Sequence, residues 1–186
     1  MTARRFDPGR RDRIIDAAIE MIAEQGVAGT SHRKVAARAD VPLGSMTYHF
    51  EGMDELLHAA FTRFAALIAA RFEERLAQAR TSEQAQEAVV ALIHSDLNQS
   101  AREWVLTYEL YTLAARDPAY RAITHEWMRQ SRAALASHFD SVTCRMLDAL
   151  IEGLSLHAAL DTERHDRAVT AEAVLRITTP TASFSP

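Results

Sequence analysis

Apolar residues recur at helical spacing along most of this 186-residue chain. The first such stretch places four of them on one helix face: Ile15, Ala18, Ile19 and Ile22. Alternating runs of β-branched and polar residues, which would indicate strands, are missing. The chain is therefore expected to be all-α. The predicted helices span residues 10–25, 31–39, 42–49, 53–79, 83–98, 101–116, 118–138, 141–160 and 166–177.

Residues with special backbone preferences mark the breaks between these helices. Gly26 follows the first helix, where a left-handed residue commonly ends a helix. Thr30 or Ser31 can cap the second helix, and Asp40 lies in a tight turn, where Asp tolerates a left-handed backbone better than most residues. Pro118 marks a further break, because the residue before proline disfavours the helical conformation.

Two short helices joined by a tight turn, over residues 31–49, are typical of a helix-turn-helix. An α-helix fits the major groove of DNA, provided that its outer edge is polar and its inner edge is anchored. The predicted inward anchors are Val41, Met46 and Phe50. The side chains expected to face outward or along the rim are Ser45, Thr47, Tyr48 and His49.

The stretch from Thr30 to Leu57 resembles the DNA-binding domain of TetR/AcrR regulators. The matching positions are Val35-Ala36, Val41, Gly44, Met46, Phe50 and Leu56. The sequence departs from the family pattern at three positions. Asp40 replaces the usual turn Gly, Thr47 replaces the usual Tyr with the aromatic shifted to Tyr48, and Met53 replaces a Lys that points at phosphate.

The resemblance implies DNA contacts in both short helices. Ser31, Arg33 and Lys34 would contact phosphate or a groove edge at the start of the second helix. The remaining predicted DNA-binding residues lie on or beside the recognition helix: Gly44, Ser45, Thr47, Tyr48 and His49. Basic pairs at Arg4/Arg5 and Arg10/Arg11 would add salt-sensitive attraction.

The predicted organisation has two functional parts with short flanking segments. A flexible basic arm over residues 1–9 precedes a three-helix DNA-binding domain over 10–54. A helical bundle for ligand binding and dimerisation is expected over 55–177, followed by a disordered tail over 178–186. The formal net charge is −4, yet residues 1–50 hold eight Lys/Arg against six Asp/Glu, so the basic excess lies at the N-terminal end.

The C-terminal bundle contains aromatic residues at helical spacing. Ordinary core packing is one interpretation; lining of an effector cavity is the other, and the resemblance favours a cavity somewhere in residues 55–160. The candidate ligand-binding residues are Phe61, Phe64, Trp104, Tyr108, Tyr111 and Trp127. The helix over 141–160 is apolar on more than one face, which favours a dimer interface over a central monomer helix. The candidate interface residues are Leu147, Leu150, Ile151, Leu154, Val169 and Ala173.

Several function classes are excluded by what the sequence lacks. No catalytic triad, nucleophile elbow, phosphate loop or paired histidine spacing is present, so we expect neither an enzyme nor a cofactor or metal. The single cysteine, Cys144, an absent signal peptide and the absence of a long apolar run favour a cytoplasmic protein without a membrane partner. The expected partners are operator DNA, a small-molecule effector and a second copy. The alternative is a helical protein–protein adaptor that has lost DNA binding.

Overall fold

The computed structural model describes residues 7–96, 101–163 and 165–179, and the predicted contacts of Arg4 and Arg5 and most of the predicted tail lie outside these ranges. The described residues form α-helices without a strand, as the periodicity predicts. The helices are α1 (Arg10–Gly29), α2 (His32–Arg38), α3 (Gly44–His49), α4 (Met53–Ala77), α5 (Ser82–Ala91), α6 (Ala101–Ala114), α7 (Pro118–Leu135), α8 (Ser141–Leu160) and α9 (Arg167–Thr178).

The predicted break residues have the expected conformations. Gly26 has φ 68° and ψ 174° and separates the main part of α1 from its last short turn. Asp40 has φ 51° in the turn before α3. Ser31 caps α2, because its hydroxyl accepts a hydrogen bond from the Lys34 N–H at 3.4 Å. Pro118 begins α7, after α6 has ended at Ala114.

Several helix boundaries differ from the prediction, including the following two. The helix expected over residues 83–98 changes at Leu92 into a π-helical turn that extends to Asp96. Helix α3 begins at Gly44 instead of Pro42. The reason for the second difference is local: the Pro42 and Leu43 carbonyls accept hydrogen bonds from Ser45 and Met46, so the chain enters α3 through tighter i→i+3 turns.

The chain forms two compact units. The first unit takes in the described chain up to Ala66 together with Arg102–Thr124. Its core contains residues with almost no exposed surface from α1, α3, α4 and α7 and from the position directly after α3: Ile14, Ile15, Ile22, Met46, Phe50, Leu56, Phe61 and Tyr120. This unit combines the three N-terminal helices with α6 and the start of α7, so its boundary differs from the functional division predicted at residue 54.

The second unit takes in the described residues of Leu67–Ala101 and those from His125 onward. Here α5 packs against α9, and α8 packs against both α9 and the π-helical turn. The core is a continuous apolar cluster centred on Leu76, Val89, Leu135, Leu147 and Val174, each with at most 1% of its surface exposed. Among the described residues, no helix has the length and apolar character needed to cross a membrane.

Candidate nucleic-acid interface

Helix α3 shows the division between an anchored inner edge and an exposed outer edge that groove binding requires. The inner edge is fixed by Met46 and Phe50, with 0% and 2% of their surfaces exposed. Tyr48 lies on the other side with 75% of its surface exposed, and its ring meets the His49 ring edge-on at 4.9 Å between centroids. Thr47 is also exposed, and its hydroxyl donates to the Gly44 carbonyl at 3.3 Å. The short helix therefore presents Thr47 and Tyr48 to solvent, and His49 beside them is half-buried.

Of the two orientations expected for Ser45, outward or along the rim, the structure excludes the outward one. Only 9% of its surface is exposed, and it lies next to the fully buried Met46. A helix of six residues turns less than twice, so its inner face takes in neighbouring positions as well as those one turn apart. Gly44, one position earlier, is exposed, and a Cβ placed there would meet no atom within 4 Å.

Most of the basic side chains of the N-terminal helices are engaged within the protein. Arg38 binds Glu24 at 2.5 and 3.0 Å and Glu20 at 3.0 Å. These hydrogen bonds, that to Glu24 first, raise the pKa of Arg38, and the Arg38 guanidinium lowers the pKa of Glu24. Lys34 donates to the Gln25 side chain at 2.7 Å and to the Gly29 carbonyl at 2.6 Å. The predicted phosphate contact of Lys34 would therefore compete with two internal hydrogen bonds.

Among the described arginines of the N-terminal helices, Arg11 and Arg33 form no ion pair and are available to an external anion. Arg33 is exposed on α2 and makes no ion pair with any described residue. The guanidinium of Arg11 lies over the Phe50 ring, 5.0 Å from its centroid, which fixes a positive charge beside the end of α3. Arg13, in contrast, is paired with Asp7 at 2.7 Å. The sequence predicts attraction from the Arg10/Arg11 pair, but not the contact with Phe50.

The start of α4, directly after the recognition helix, is held by a buried tyrosine of α7. The Tyr120 hydroxyl donates to the Asp54 carboxylate at 2.7 Å. Its ring packs edge-on against Phe61, 6.1 Å between centroids, and only 1% of the residue is exposed. Burial, followed by the hydrogen bond to Asp54, raises the pKa of Tyr120. Sequence reasoning missed this anchor, because no local pattern pairs residues 66 positions apart.

The α1–α2 connection, which runs from Gly26 through the last short turn of α1 to Ser31, is held by a carboxylate from α6. Val27 N–H donates to the Glu109 carboxylate at 3.1 Å, and the Thr30 hydroxyl donates to the Gly26 carbonyl at 2.8 Å. A Cβ at Gly26 would lie 2.4 Å from the same Glu109 oxygen. Glycine is therefore favoured at this position for two reasons, its positive φ and this close approach.

The predicted ligand-binding residues fall into two environments. Phe61 and Phe64 are core residues of α4, with 0% and 2% of their surfaces exposed. Trp104 and Tyr108 of α6 are half-buried and stack with 5.6 Å between ring centroids and 22° between planes. Tyr111 lies one turn further along α6 and is also half-buried, while Trp127 lies on α7 in the other compact unit.

The predicted dimer contacts of α8 require a correction. Leu147 and Ile151 have 0% and 7% of their surfaces exposed and belong to the core of their own protomer. Leu150 and Leu154 are partly buried and pack against the same core. A side chain that is already buried gains little from a partner, so the prediction for Leu147 and Ile151 is wrong. On α9, Val169 is 64% exposed and Ala173 is half-buried.

A surface concavity of 340 Å³ lies in the second unit, and Arg129, Arg132, Cys144 and Arg145 contribute to its lining. Two of its guanidiniums already have acidic partners. Arg129 pairs with Glu126 at 2.6 Å and Arg132 with Asp148 at 2.8 Å. None of the predicted ligand-binding residues lines it.

Comparison with known protein families agrees with this geometry. Bacterial regulatory proteins of the tetR family match residues 14–60, and the tetracyclin repressor-like C-terminal domain matches residues 80–180. The chain belongs to the TetR family. It is a transcriptional regulator whose helix-turn-helix is the DNA-binding part, and the second match covers all of α5 to α9.

Individual relatives match this chain over most of their length. A candidate transcriptional regulator from Streptomyces coelicolor A3(2) is 58% identical, and the match covers 93% of this chain and 100% of that chain with a TM-score of 0.88. The multidrug binding protein EbrR, solved with ethidium, is 36% identical over 92% of this chain and 99% of its own, with a TM-score of 0.78. The regulator BetI of Burkholderia cenocepacia is 29% identical over 160 residues, 81% of this chain and 82% of its own.

Proposed function

We propose that this TetR-family protein is a repressor that binds a palindromic operator as a homodimer in the cytoplasm and releases it when a small aromatic molecule binds. The observation that carries the proposal is the exposed edge of α3. Tyr48 is 75% exposed on a helix whose inner side is anchored by buried residues, so its side chain faces solvent and contributes nothing to the core. Side chains held in this way can contact base edges in the major groove.

The contacts with DNA divide by chemistry. Thr47, Tyr48 and His49 would reach base edges or the groove rim, whereas Ser31 and Arg33 would contact phosphate. Arg11 would also contact phosphate, because its guanidinium is fixed over Phe50 beside the end of α3. Arg38 would not, since three hydrogen bonds to Glu20 and Glu24 already occupy its guanidinium.

Dimerisation is supported by an exposed apolar stripe on α8. The stripe repeats at alternating intervals of four and three residues, the spacing of a seam between packed helices. Its members are Val142, Met146, Ala149, Gly153, Leu156 and Leu160. Val142, Met146 and Leu160 have 59%, 50% and 66% of their surfaces exposed. We therefore propose this stripe, with Val169 and Leu175 of α9, as the dimer contact in place of the buried Leu147 and Ile151.

The effector class follows from α6. The stacked Trp104 and Tyr108 rings offer a flat apolar surface with polar tips. Such a surface favours planar aromatic molecules, and cationic ones gain further attraction from the ring faces. The relative EbrR was solved with ethidium, a planar aromatic cation. We propose that this class of molecule binds here, with Tyr111, Phe61 and Phe64 as further candidate residues of the site.

Selection of duplexes from a randomised DNA pool tests the DNA-binding part. The expected product is a palindrome whose half-sites are about one helical turn apart. Binding should weaken steeply with salt, because phosphate contacts release counterions. Recovery of no preferred sequence at any salt concentration would reject the repressor and favour the adaptor alternative.

Ethidium tests the effector part, with Trp104→Ala as the informative variant. Ethidium should quench tryptophan fluorescence and release the selected duplex, and Trp104→Ala should weaken both effects by about tenfold or more. Trp127→Phe is the matched control, since it removes the other tryptophan, which lies on α7 outside the stacked pair. Equal ethidium responses in both variants would contradict the proposed site.

A further inference from the structure

Two side chains of α6 contact the end of α1, both within the first compact unit. Glu109 accepts the Val27 N–H at 3.1 Å. Arg102 binds Glu24 at 3.0 Å, and Glu24 in turn binds Arg38 of α2. Arg102 and Glu109 are seven residues apart, two helical turns, so they lie on one line along α6.

The aromatic residues occupy the opposite side of the same helix. Trp104, Tyr108 and Tyr111 follow the i, i+4, i+7 spacing of a single face. At 3.6 residues per turn, Glu109 lies roughly 140° around the helix from Trp104. Helix α6 thus carries one face suited to an aromatic ligand and another that contacts the α1–α2 connection.

The α1–α2 connection is short and tightly organised. From Gly26 to Thr30 the chain makes one turn, closed by the Thr30 hydroxyl on the Gly26 carbonyl, and Ser31 then caps α2. Because only a few residues separate Val27 from α2, a displacement of the Val27 amide is passed to α2 and, through the contacts between α2 and α3, to the recognition helix.

We propose that Glu109 is the positioning residue that sets the orientation of the α2–α3 pair by holding the Val27 amide against α6. Arg102, through Glu24 and Arg38, supports the same arrangement from one turn earlier in α1. A movement of α6 towards a ligand on its aromatic face withdraws the Glu109 carboxylate and frees the connection. The effect of this contact on operator binding rests on the proposed function. The contact itself is the one through which ligand binding and DNA binding would oppose each other.

Hydrogen exchange of the Val27 amide, followed by NMR on the full-length protein without DNA, is the first test. Glu109→Ala should speed exchange at Val27 by about tenfold or more, since the amide loses its acceptor. Glu109→Gln keeps an acceptor oxygen at the same position and should remain within about threefold of the wild type. Unchanged exchange in Glu109→Ala would overturn the proposal, whatever the protein does with DNA.

Affinity for the selected operator duplex is the second test. Suppose that, without Glu109, each helix-turn-helix of a dimer adopts the binding orientation about one third of the time. Both then adopt it together about one tenth of the time, so the apparent Kd for the operator rises about tenfold. Glu109→Gln should restore nearly wild-type affinity, and Glu74→Ala, an exposed glutamate on α4, should change nothing. Wild-type affinity in Glu109→Ala would overturn the positioning role. Failure of the wild type to bind any duplex would instead reject the proposed function, and the exchange test would still decide whether Glu109 holds the connection.

Discussion

Replacement of Gly26 by Ala tests how the α1–α2 connection is built. Gly26 has φ 68° and ψ 174°, a backbone region that is essentially restricted to glycine. The new Cβ would also lie 2.4 Å from the Glu109 carboxylate oxygen. Since that oxygen is the end of a flexible side chain, it can move away, but it then gives up the Val27 amide.

The expected loss of stability combines three contributions. Backbone strain at this position costs about 1–3 kcal/mol, and loss of the Glu109 hydrogen bond costs about 1 kcal/mol. Replacing glycine also reduces the entropy of the unfolded chain, which stabilises the protein by about 0.4–1 kcal/mol. The free energy of unfolding should therefore fall by about 2 kcal/mol.

Urea denaturation of a double-mutant cycle measures both parts of this loss at one protein concentration. Glu109→Ala alone should cost about 1 kcal/mol. In the Gly26→Ala background the hydrogen bond is already lost, so the double variant should be about as stable as Gly26→Ala. Gly52→Ala is the control, because a Cβ there meets no atom within 4 Å and its φ is not positive. The control should stay within about 0.5 kcal/mol of the wild type.

Two results would refute this reasoning. One is a Gly26→Ala variant that loses less than about 0.5 kcal/mol, because the strained backbone would then be absent. The other is strict additivity in the double variant, because Gly26 and Glu109 would then act independently.

Three further predictions concern the second compact unit. Met146→Glu should yield monomers in light scattering, because it places a charge in the exposed stripe of α8, where Met146 is 50% exposed. Met128→Glu, at a 40% exposed methionine of α7, should remain a dimer. A dimeric Met146→Glu variant would contradict the proposed dimer contact. Burial raises the pKa of Asp148 despite its pair with Arg132, so the folded state binds the proton more tightly and its stability should decline as pH rises through the Asp148 pKa. Urea midpoints measured from about pH 4 to about pH 7 should therefore decline less in Asp148→Asn than in the wild type. Equal declines in the two proteins would oppose the prediction. Cys144 is 2% exposed, and burial raises the pKa of its thiol. A thiol reagent should therefore react more than about a hundredfold more slowly with the native protein than with the urea-unfolded protein. Comparable rates would contradict the burial of Cys144.

Local patterns were sufficient to predict the helices and the helix-turn-helix. Apolar spacing identifies a buried face within one helix, and special residues such as Gly26, Asp40 and Pro118 fix the breaks. Each of these signals acts within a few residues, which is why the structure reproduces them. The same holds for Met46 and Phe50 as anchors of α3.

The wrong predictions arise where a local sequence pattern is compatible with more than one packing partner for a helix face. On α8 the sequence indicates two apolar faces, but not which one belongs to the protomer's own core. The structure buries Leu147 and Ile151 there and leaves Met146 exposed. In the six-residue α3, spacing alone does not decide whether Ser45 faces in or out.

Long-range polar contacts were beyond sequence reasoning altogether. Glu109 and Tyr120 look like ordinary residues of amphipathic helices, yet one holds the Val27 amide 82 positions away and the other holds Asp54 66 positions away. Such contacts depend on how helices that are distant in sequence pack together. The identity of a single side chain does not indicate that packing.

Affinity of the Tyr48→Ala variant for the selected operator duplex tests most directly whether α3 binds DNA. Tyr48 is 75% exposed, so the variant should keep the wild-type Tm while its Kd for the operator rises about tenfold to a hundredfold. Leu67→Ala, at a leucine 55% exposed on α4, should bind like the wild type. Equal operator affinity of Tyr48→Ala and Leu67→Ala, in folded protein, would contradict DNA recognition by this helix.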